Sequence, residues 1–535
     1  MGGVLSSVRA GYDALNVFWA EVSQNMAESD ALLRRIATPA FPVADPTVSF
    51  WQLNPPFPKL VKMKSKQLPQ SADIVIIGSG LSGASVAYTI LSECHALGAK
   101  KKVVILEARE TCSGATGRNG GHLKCSPYML YSDLKGMLSP KEAREVLKFY
   151  RRHLPIMLDL VEAERLEGAE AREVETVDVF LEKSAWEKGL GMVRDLRQDF
   201  PEAAQDIMVW EADDAKRVQK FGLSSHAHGA ITYRAGAMWP YRLVSSLYSH
   251  LLAKYGPSFA IETSTEVQDI HMENDEATPY YLRTSRGVIR ARHIVHATDG
   301  FTANLIPGLK GKIFPVRGHM SAQEADGPSS DLDGTRSWSF IDKKGFEYIT
   351  QRPQESAGCH SPGGEIMLGG GLFQSADKGL DEIGIWKDNG ASPIISAYLS
   401  GIWSVAMRDE NTRVLQLWTG CMGFTIDLLP FVGRVHPRFT GRVPHRSSRR
   451  GKSSENSRSD APNEWITAGF GGDGMVSAWL SGTAVGLMLL GRDKIEHESQ
   501  PGRPAGKVTD WLPKQLRLSG ARIRRANIYK LAQQL

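Results

Sequence analysis

The chain has few cysteines and no long apolar run. Its 535 residues include five scattered cysteines, an odd number that fits neither a disulfide framework nor a metal site with closely paired ligands. They are Cys94, Cys112, Cys125, Cys359 and Cys421. No run of about 18 apolar residues is present to cross a bilayer. A secretory signal and a peroxisomal C-terminal tripeptide are also lacking, so we expect a cytoplasmic protein in a reducing compartment, without a bound metal.

Outside a single segment, the chain has no excess of charge of either sign. The net charge of +5 comes from residues 438–460, which contain seven basic residues and only two acidic ones, Glu455 and Asp460. The basic residues are Arg438, Arg442, Arg446, Arg449, Arg450, Lys452 and Arg458. Such a Ser/Arg-rich run cannot bury enough apolar surface to order itself, so it predicts a solvated loop and no nucleic-acid partner.

The first seventy residues differ in composition from the rest. An amphipathic helical pattern near residues 10–36 is followed by a connector whose prolines predict extended or irregular backbone. The prolines are Pro39, Pro42, Pro46, Pro55, Pro56 and Pro58. Residues 1–6 match the N-myristoylation pattern, so this part is either an unmodified tail or, with Gly2 acylated, a weak membrane anchor.

A βαβ unit opens the organised part of the chain. Residues 74–77 are apolar and β-branched, as expected of a strand buried on both faces. A glycine turn follows directly, then a helical segment from Ser82 to about Leu97 that Gly98 ends. Residues 103–106 form a second buried strand.

The turn between the first strand and the helix reads Gly-Ser-Gly-Leu-Ser-Gly over residues 78–83. Gly78 permits the tight turn, Gly80 lets backbone approach a pyrophosphate, and Gly83 lets helix and strand pack closely. The N–H groups at the helix N-terminus attract the anion. Glu107 ends the second strand, where its carboxylate can accept hydrogen bonds from a ribose. This pattern predicts a dinucleotide site and disfavours NADP.

NAD and FAD share this opening, and three later segments favour FAD. Residues 113–122 are small and polar and can bring N–H groups against a long cofactor. Residues 296–300 end a strand in a small-residue turn that can pass beside it. Residues 467–475 lead into a helix reaching about Leu490, whose N-terminus can face the pyrimidine end of a reduced flavin.

Two other segments have clear local signals. The sequence Ser-Pro-Lys-Glu from Ser139 predicts a capped helix start with Glu142 bonding back to the cap, and Pro155 kinks or ends that helix. Residues 260–297 are expected to be strand-like, with Ile261, Thr263, Thr265 and Val267 alternating, a turn at residues 285–287 and an apolar strand at residues 294–295.

These segments together resemble the D-amino-acid oxidase-like (DAO) family of FAD-dependent oxidoreductases, which contains glycine oxidase, sarcosine oxidase and gamma-glutamylputrescine oxidase. The resemblance covers about residues 71–515. It points to the gamma-glutamylputrescine oxidase-like branch and to fungal FAD-dependent oxidoreductases, through residues 113–122, 314–320 and 418–430. It implies an α/β (α+β) fold in which a Rossmann-type FAD-binding domain of glutathione-reductase type is interleaved with a β-rich substrate domain.

The resemblance divides the chain as follows. Residues 1–70 form the N-terminal extension and connector, and FAD-binding segments occupy residues 71–130, 229–305 and 417–515. The substrate domain takes residues 306–416 and most of residues 131–228. A disordered basic insert at residues 438–462 lies in the last FAD-binding segment, and residues 516–535 form a C-terminal tail.

The cofactor residues follow from the family motifs. The resemblance assigns the adenosine half of FAD to Gly78, Ser79, Gly80, Leu81, Ser82, Gly83, Glu107, Ala108, Arg109 and, near the adenine, Val267. It assigns the middle of the cofactor and the flavin to Ala115, Thr116, Arg118, Asn119, Gly120, Gly121, Ala297, Gly474 and Met475.

The resemblance also implies an activity. Members of the family oxidise a C–N bond by hydride transfer to the flavin and usually reduce O2 to hydrogen peroxide. The expected partners are therefore a small-molecule amine and O2 or another electron acceptor. A flavin dehydrogenase and a non-catalytic FAD-binding trafficking or regulatory protein are the alternatives.

This sequence departs from the family where the substrate binds. Amino-acid oxidases of the family place a carboxylate-binding arginine where Met422 stands here, which argues against a simple α-amino acid. Arg317 or Arg352 is an alternative carboxylate partner.

Further candidates surround that position. His319, Tyr348 and Trp418 are the other pocket residues that the matching segments indicate. Cys421 lies one residue from a cysteine that sarcosine oxidases bond to the flavin, so a covalent link and a buried thiol are both open. Asp473 stands where relatives often have histidine.

Overall fold

A computed structural model describes residues 26–212, 221–325, 333–343, 345–354, 363–407, 411–442 and 461–526. Gly2 and residues 443–460 of the basic insert lie outside this part. Within it, every helix is too short or too polar to cross a membrane.

Strands of the described residues are numbered in chain order. They are β1 Ser71–Ile77, β2 Val103–Leu106, β3 His122–Leu123, β4 Arg172–Phe180, β5 Met208–Glu211, β6 Gly229–Ala237, β7 Phe259–Glu262, β8 Val267–Met272, β9 Tyr280–Thr284, β10 Gly287–His296, β11 Ile313–Ala325, β12 Arg336–Ile341, β13 Phe346–Gln351, β14 Ile366–Gly369, β15 Thr412–Thr425, β16 Phe431–Val435 and β17 Asn463–Ala468.

The α-helices of the described residues are mostly in the first half of the chain. They span Met26–Ala37, Pro58–Val61, Leu81–Ala96, Pro127–Met137, Pro140–Arg151, His153–Ala163, Lys183–Asp199, Pro240–Tyr255, Pro393–Ala406, Pro437–Thr440, Ala478–Leu489, Val508–Trp511 and Gly520–Arg525.

The first sheet has the order β16-β17-β10-β1-β2-β7, with β9 on β10 and β8 on β9. Strands β1, β2, β7, β10 and β17 run parallel. Ile77 at the end of β1 pairs with Leu106 of β2 and His296 of β10. The carboxyl ends of these strands therefore meet at one edge, which is where α/β sheets bind their ligands.

Two helices begin at this edge. Leu81–Ala96 follows β1, and Ala478–Leu489 follows β17 after a short 3-10 turn at Gly474–Val476. The Ser85 hydroxyl donates to the Trp479 carbonyl across 2.6 Å and joins the two helices. Both N-termini therefore face the same side of the sheet.

The second sheet has the order β15-β11-β14-β13-β12-β4-β6-β3, with β5 on β6. The long antiparallel pair β11–β15 places Val316 opposite Met422 and Arg317 opposite Cys421. The mixed α/β architecture with a second, β-rich layer confirms the predicted fold class.

Several local predictions are confirmed. Strand β2 has the predicted bounds, and Gly98, just past the first long helix, has φ +64°. Ser139 and Glu142 form a complete capping box, with a hydrogen bond in each direction. Pro155 lies in the first turn of the next helix, His153–Ala163, so the chain breaks there as expected.

Other segments differ in detail from the expectations. The strand-like region 260–297 forms β7 to β10, but the alternating residues 261–267 are divided between β7 and β8, because Ser264 between them has φ +50°. Strands β6 and β15 belong to the second sheet, although the predicted FAD-binding segments include β6 and part of β15. The edge of the basic insert is ordered, since Arg442 donates two 2.8 Å hydrogen bonds to the buried Glu464.

Candidate active site

One elongated cavity runs from the carboxyl edge of the first sheet to the face of the second. Most of the predicted cofactor residues line it: Gly78, Ser79, Gly80, Leu81, Ser82, Glu107, Ala108, Arg109, Ala115, Thr116, Arg118, Asn119, Val267, Ala297, Gly474 and Met475. Its far end is formed by residues of β11, β13 and β15 and by residues 370–374. Gly83, Gly120 and Gly121 do not line this cavity.

The glycine loop has the tight geometry that its sequence predicts. Gly78 has φ +106°, and a Cβ there would lie 2.4 Å from the Ala297 carbonyl oxygen. Gly83 passes so close to Gly78 that a Cβ would lie 2.2 Å from the Gly78 carbonyl oxygen. Gly83 therefore packs against the loop on the side away from the cavity. On the cavity side, the Thr116 hydroxyl accepts the Leu81 N–H at 3.0 Å.

Glu107 is surrounded by hydrogen-bond donors at the end of β2. One of its carboxylate oxygens accepts the Ser79 hydroxyl at 2.6 Å and the Ser79 N–H at 3.1 Å, and the other accepts the Arg109 N–H at 2.9 Å. The neighbouring Arg109 guanidinium is paired with Asp388 at 2.9 Å. A ribose hydroxyl can donate to Glu107, whereas a 2′-phosphate would meet its negative charge.

Arg118 joins the small-residue loop to the second sheet. Its buried guanidinium donates to the carbonyls of Ser113 and Thr419, each at 2.8 Å. Burial lowers its pKa to about 10, and Asp388, 3.5 Å away, opposes that shift. Trp418 is fully buried and donates to the Arg118 carbonyl at 2.7 Å. Trp418 therefore supports the loop from outside the cavity, contrary to its expected place in the pocket.

Hydrogen bonds within the same loop fix its conformation. The Asn119 amide oxygen accepts the Gly121 N–H at 2.7 Å, and its nitrogen donates to the Thr116 carbonyl at 3.1 Å. The Gly121 carbonyl accepts the Met238 N–H at 2.9 Å. Gly120 passes beneath the Tyr348 ring. These contacts turn the loop from the cofactor edge toward the second sheet.

Asp299 is a central residue that the sequence did not single out. Its carboxylate accepts N–H groups from Gly423 at 2.7 Å, Gly469 at 2.9 Å and Phe470 at 3.3 Å. Burial raises its pKa, although these hydrogen bonds oppose the shift. It also has φ +44°. The only local signal was an aspartate within a small-residue turn, and its partners lie more than a hundred residues away.

Three predicted pocket residues line the far end of the cavity. His319 is buried, and its Nε2 accepts the Ser392 N–H at 2.8 Å. Burial and the charge of Arg317 lower its pKa to about 3, so its imidazole is neutral. The Tyr348 hydroxyl lies 3.0 Å from the Met320 sulfur, and Met422 packs against Gly318. The walls here are mainly apolar and aromatic.

Neither candidate arginine is oriented as a substrate clamp. Arg317 lines the cavity but makes a bidentate pair with Glu382, at 2.6 and 2.9 Å. Arg352 is buried outside the cavity between Glu170 at 2.7 Å and Glu365 at 2.6 Å. Each guanidinium already holds a carboxylate of the protein.

A family model for FAD-dependent oxidoreductases, the DAO model, matches residues 73–486. The chain belongs to the DAO family of FAD-dependent oxidoreductases. The cofactor is therefore FAD, and the long cavity, the two helix N-termini and Glu107 fit it.

Individual relatives of this DAO-family chain are distant. A probable oxidoreductase, OrdL from Rhizobium meliloti (strain 1021), is 21% identical over 380 residues, which cover 69% of this chain and 78% of OrdL. A glycine oxidase from Geobacillus kaustophilus aligns with 80% of this chain and 96% of its own, at 17% identity and a TM-score of 0.57. An L-proline dehydrogenase from P. horikoshii aligns with 79% of this chain and 94% of its own, at 17% identity and a TM-score of 0.53. At these identities the solved structures show the fold.

The connector of this DAO-family chain contributes to the site, which the sequence did not predict. We call residues 38–58 the strap. Phe41 and Pro42 line the cavity, and the Thr47 hydroxyl accepts the Thr419 N–H at 2.9 Å. The Trp51 indole is 1% exposed and donates to the Asn119 carbonyl. The strap therefore packs against the loop at residues 114–121 that faces the cofactor.

We expect the FAD of this DAO-family enzyme to be bound without a covalent link to Cys421. Cys421 lines the cavity, but burial raises the pKa of its thiol to about 12, and a thiolate is the nucleophile that such a link requires. Acid precipitation should release the flavin into the supernatant, and Cys421→Ser should retain FAD. Yellow colour that stays with the precipitate and is lost in Cys421→Ser would contradict this expectation.

Proposed function

We propose that this enzyme oxidises a C–N bond of an amine or amino-acid derivative and passes the electrons to O2, forming hydrogen peroxide. The observation that carries the proposal is the end of the FAD cavity formed by β11, β13 and β15, where Met320, Tyr348 and Met422 supply apolar and aromatic walls. Such surroundings disfavour a charged ammonium and favour the neutral amine, whose lone pair assists departure of the hydride. FAD, when bound, supplies the acceptor for that hydride.

The substrate is proposed to be an amine or derivative rather than a simple α-amino acid. Met422 stands where amino-acid oxidases of the family carry their arginine, and Arg317 is occupied by Glu382. An α-carboxylate in this pocket would be desolvated without a cation to pair with it. The names of the solved structures similar to this chain support nitrogen-bearing substrates in general.

The choice of O2 as acceptor rests on the family pattern. The similar structures include both a glycine oxidase and an L-proline dehydrogenase. A flavin dehydrogenase is therefore the second candidate.

The test is anaerobic reduction followed by exposure to oxygen. Purified protein should be yellow and should bleach when a primary or secondary amine from a broad panel is added without oxygen. Readmitted O2 should restore the colour and yield one hydrogen peroxide per flavin. Protein kept anaerobic without amine is the control.

The other outcomes are informative. Bleaching without peroxide would indicate a dehydrogenase and overturn the oxidase proposal. A yellow protein that no amine bleaches would indicate an FAD-binding trafficking or regulatory protein.

A further inference from the structure

A smaller chamber adjoins the cavity where Tyr348 and Met475 stand. Asn119 and Phe346 line both spaces as well. Its remaining wall has apolar residues, Met129, Ile341 and Val476, and a group of polar residues, which are His122, Lys124, Ser126, Asp178, Ser339 and Asp473. We call it the lysine chamber. The cofactor assignment uses only its Asn119, Gly120 and Met475.

Lys124 is the distinctive group of this chamber. Its side chain is 11% exposed, and its ammonium donates to one Asp178 oxygen at 2.5 Å and to the Ser339 hydroxyl at 2.7 Å. The ammonium also lies 5.5 Å from the centre of the Tyr233 ring. An ammonium has three N–H donors, so the two hydrogen bonds leave one donor for a further acceptor. Burial lowers the pKa of Lys124, and Asp178 opposes that shift.

Asp178 does not depend on Lys124 alone. Its other carboxylate oxygen accepts the hydroxyls of Tyr128 at 2.7 Å and Tyr233 at 2.8 Å. Asp178 is 1% exposed and receives three donors in total. If Lys124 turns toward a ligand, the Asp178 carboxylate therefore keeps its hydrogen bonds from the two tyrosines.

A buried ion pair is a costly way to fill a protein interior. Apolar side chains of similar volume usually stabilise a core as well or better, because two charges must be desolvated. This pair lies on the wall of a chamber that opens beside the substrate end of the FAD cavity. A charged pair on the wall of a binding cavity can recognise a polar group of a ligand.

We propose that Lys124 binds a neutral oxygen acceptor of the substrate, an amide carbonyl or a hydroxyl, so that the substrate is an amine that carries such an oxygen at a distance from the oxidised carbon. This inference rests on the proposed function. It adds the class of substrate and the residue that selects it.

The charges of the chamber favour a neutral group. Lys124 and Asp178 balance each other, and burial together with Lys124 lowers the pKa of His122 far below its ordinary value, so His122 is neutral. A substrate carboxylate would therefore leave an excess negative charge, and a second ammonium would meet Lys124.

The test compares three series of amines of matched chain length, ending in a primary amide, a carboxylate or a methyl group. The wild type should show its highest kcat/KM with the amides. In Lys124→Met the preference for amide over alkylamine should fall about 10- to 100-fold, as expected for loss of a hydrogen bond to a charged group. Lys135→Met is the matched control, because Lys135 pairs with Asp199 at 2.6 Å on the surface.

A second variant and a binding readout keep the test decisive. Lys124→Met leaves Asp178 without its cation, so Lys124→Met/Asp178→Asn preserves the charge balance if the single variant does not fold. Pentanamide, which has no amine to oxidise, should perturb the visible flavin spectrum of the wild type, and its Kd should rise about 10-fold or more in the variants.

The outcomes separate the two proposals. Amine oxidation without an amide preference, or with a preference for carboxylates, would overturn the role of Lys124 and leave the proposed function standing. Pentanamide binding that depends on Lys124, in a protein that no amine reduces, would support the chamber and overturn the proposed function.

Discussion

Gly78→Ala is expected to yield a protein that purifies without its yellow colour. Gly78 has φ +106°, and an added Cβ would lie 2.4 Å from the Ala297 carbonyl oxygen, so the loop and the end of β10 must move apart. Backbone strain of this kind costs about 1–3 kcal/mol, and the displaced N–H groups lose their fit to a pyrophosphate. We expect FAD affinity to fall about 100-fold or more, measured by quenching of FAD fluorescence.

Gly98→Ala is the matched control for Gly78→Ala. Gly98 also has positive φ, +64°, but a Cβ there would meet nothing within 4 Å. It should cost only the conformational penalty, about 1 kcal/mol of unfolding free energy, and retain FAD. Equal FAD loss in both variants would show that helix stability, rather than the loop's close approach to Ala297, governs cofactor binding.

Trp51→Ala is expected to destabilise the protein and weaken FAD binding together. Trp51 is 1% exposed, its indole donates to the Asn119 carbonyl, and its own carbonyl accepts the Trp239 indole at 3.0 Å. Truncating a buried tryptophan costs about 3–5 kcal/mol of unfolding free energy. Because Asn119 lines the FAD cavity, the loop should loosen and the apparent Kd for FAD should rise about 10-fold or more.

Trp511→Ala separates these two effects. Trp511 is also buried, at 4% exposure, but it does not line the cavity. Thermal unfolding with and without added FAD should show a similar loss of stability in the apoproteins. Only Trp51→Ala should lose part of the stabilisation that FAD provides. A loss of equal size in both variants would contradict a role of the strap in cofactor binding.

The cofactor half of the site was predictable because its signals are local. A buried strand, the loop at Gly78–Gly83 and a carboxylate at Glu107 lie within about thirty residues, and the backbone conformation that they require is encoded where they stand. The structure places all of these except Gly83 on the cavity. Gly83 does not line the cavity; it packs closely against the Gly78 carbonyl and so supports the loop.

The substrate half was less predictable because its side chains take their roles from distant partners. Trp418 belongs to a family-like segment, yet it lies outside the cavity and donates to the Arg118 carbonyl. Arg352, also outside the cavity, pairs with two glutamates, Glu170 and Glu365. Asp299 carries no motif, and its three N–H partners come from β15 and from the segment after β17.

The sequence by itself determined the fold class, the family and FAD as the cofactor, since the motifs that carry them depend on residue type and short spacing. Only the tertiary structure decided that the proline-rich connector is a strap on the cofactor loop, and that Lys124 and Asp178 share one chamber. Lys124 and Asp178 are 54 positions apart, and Thr47 and Thr419 are 372 apart. Contacts over such separations arise from the strand order of the second sheet and from the path of the connector across β15, which no local pattern records.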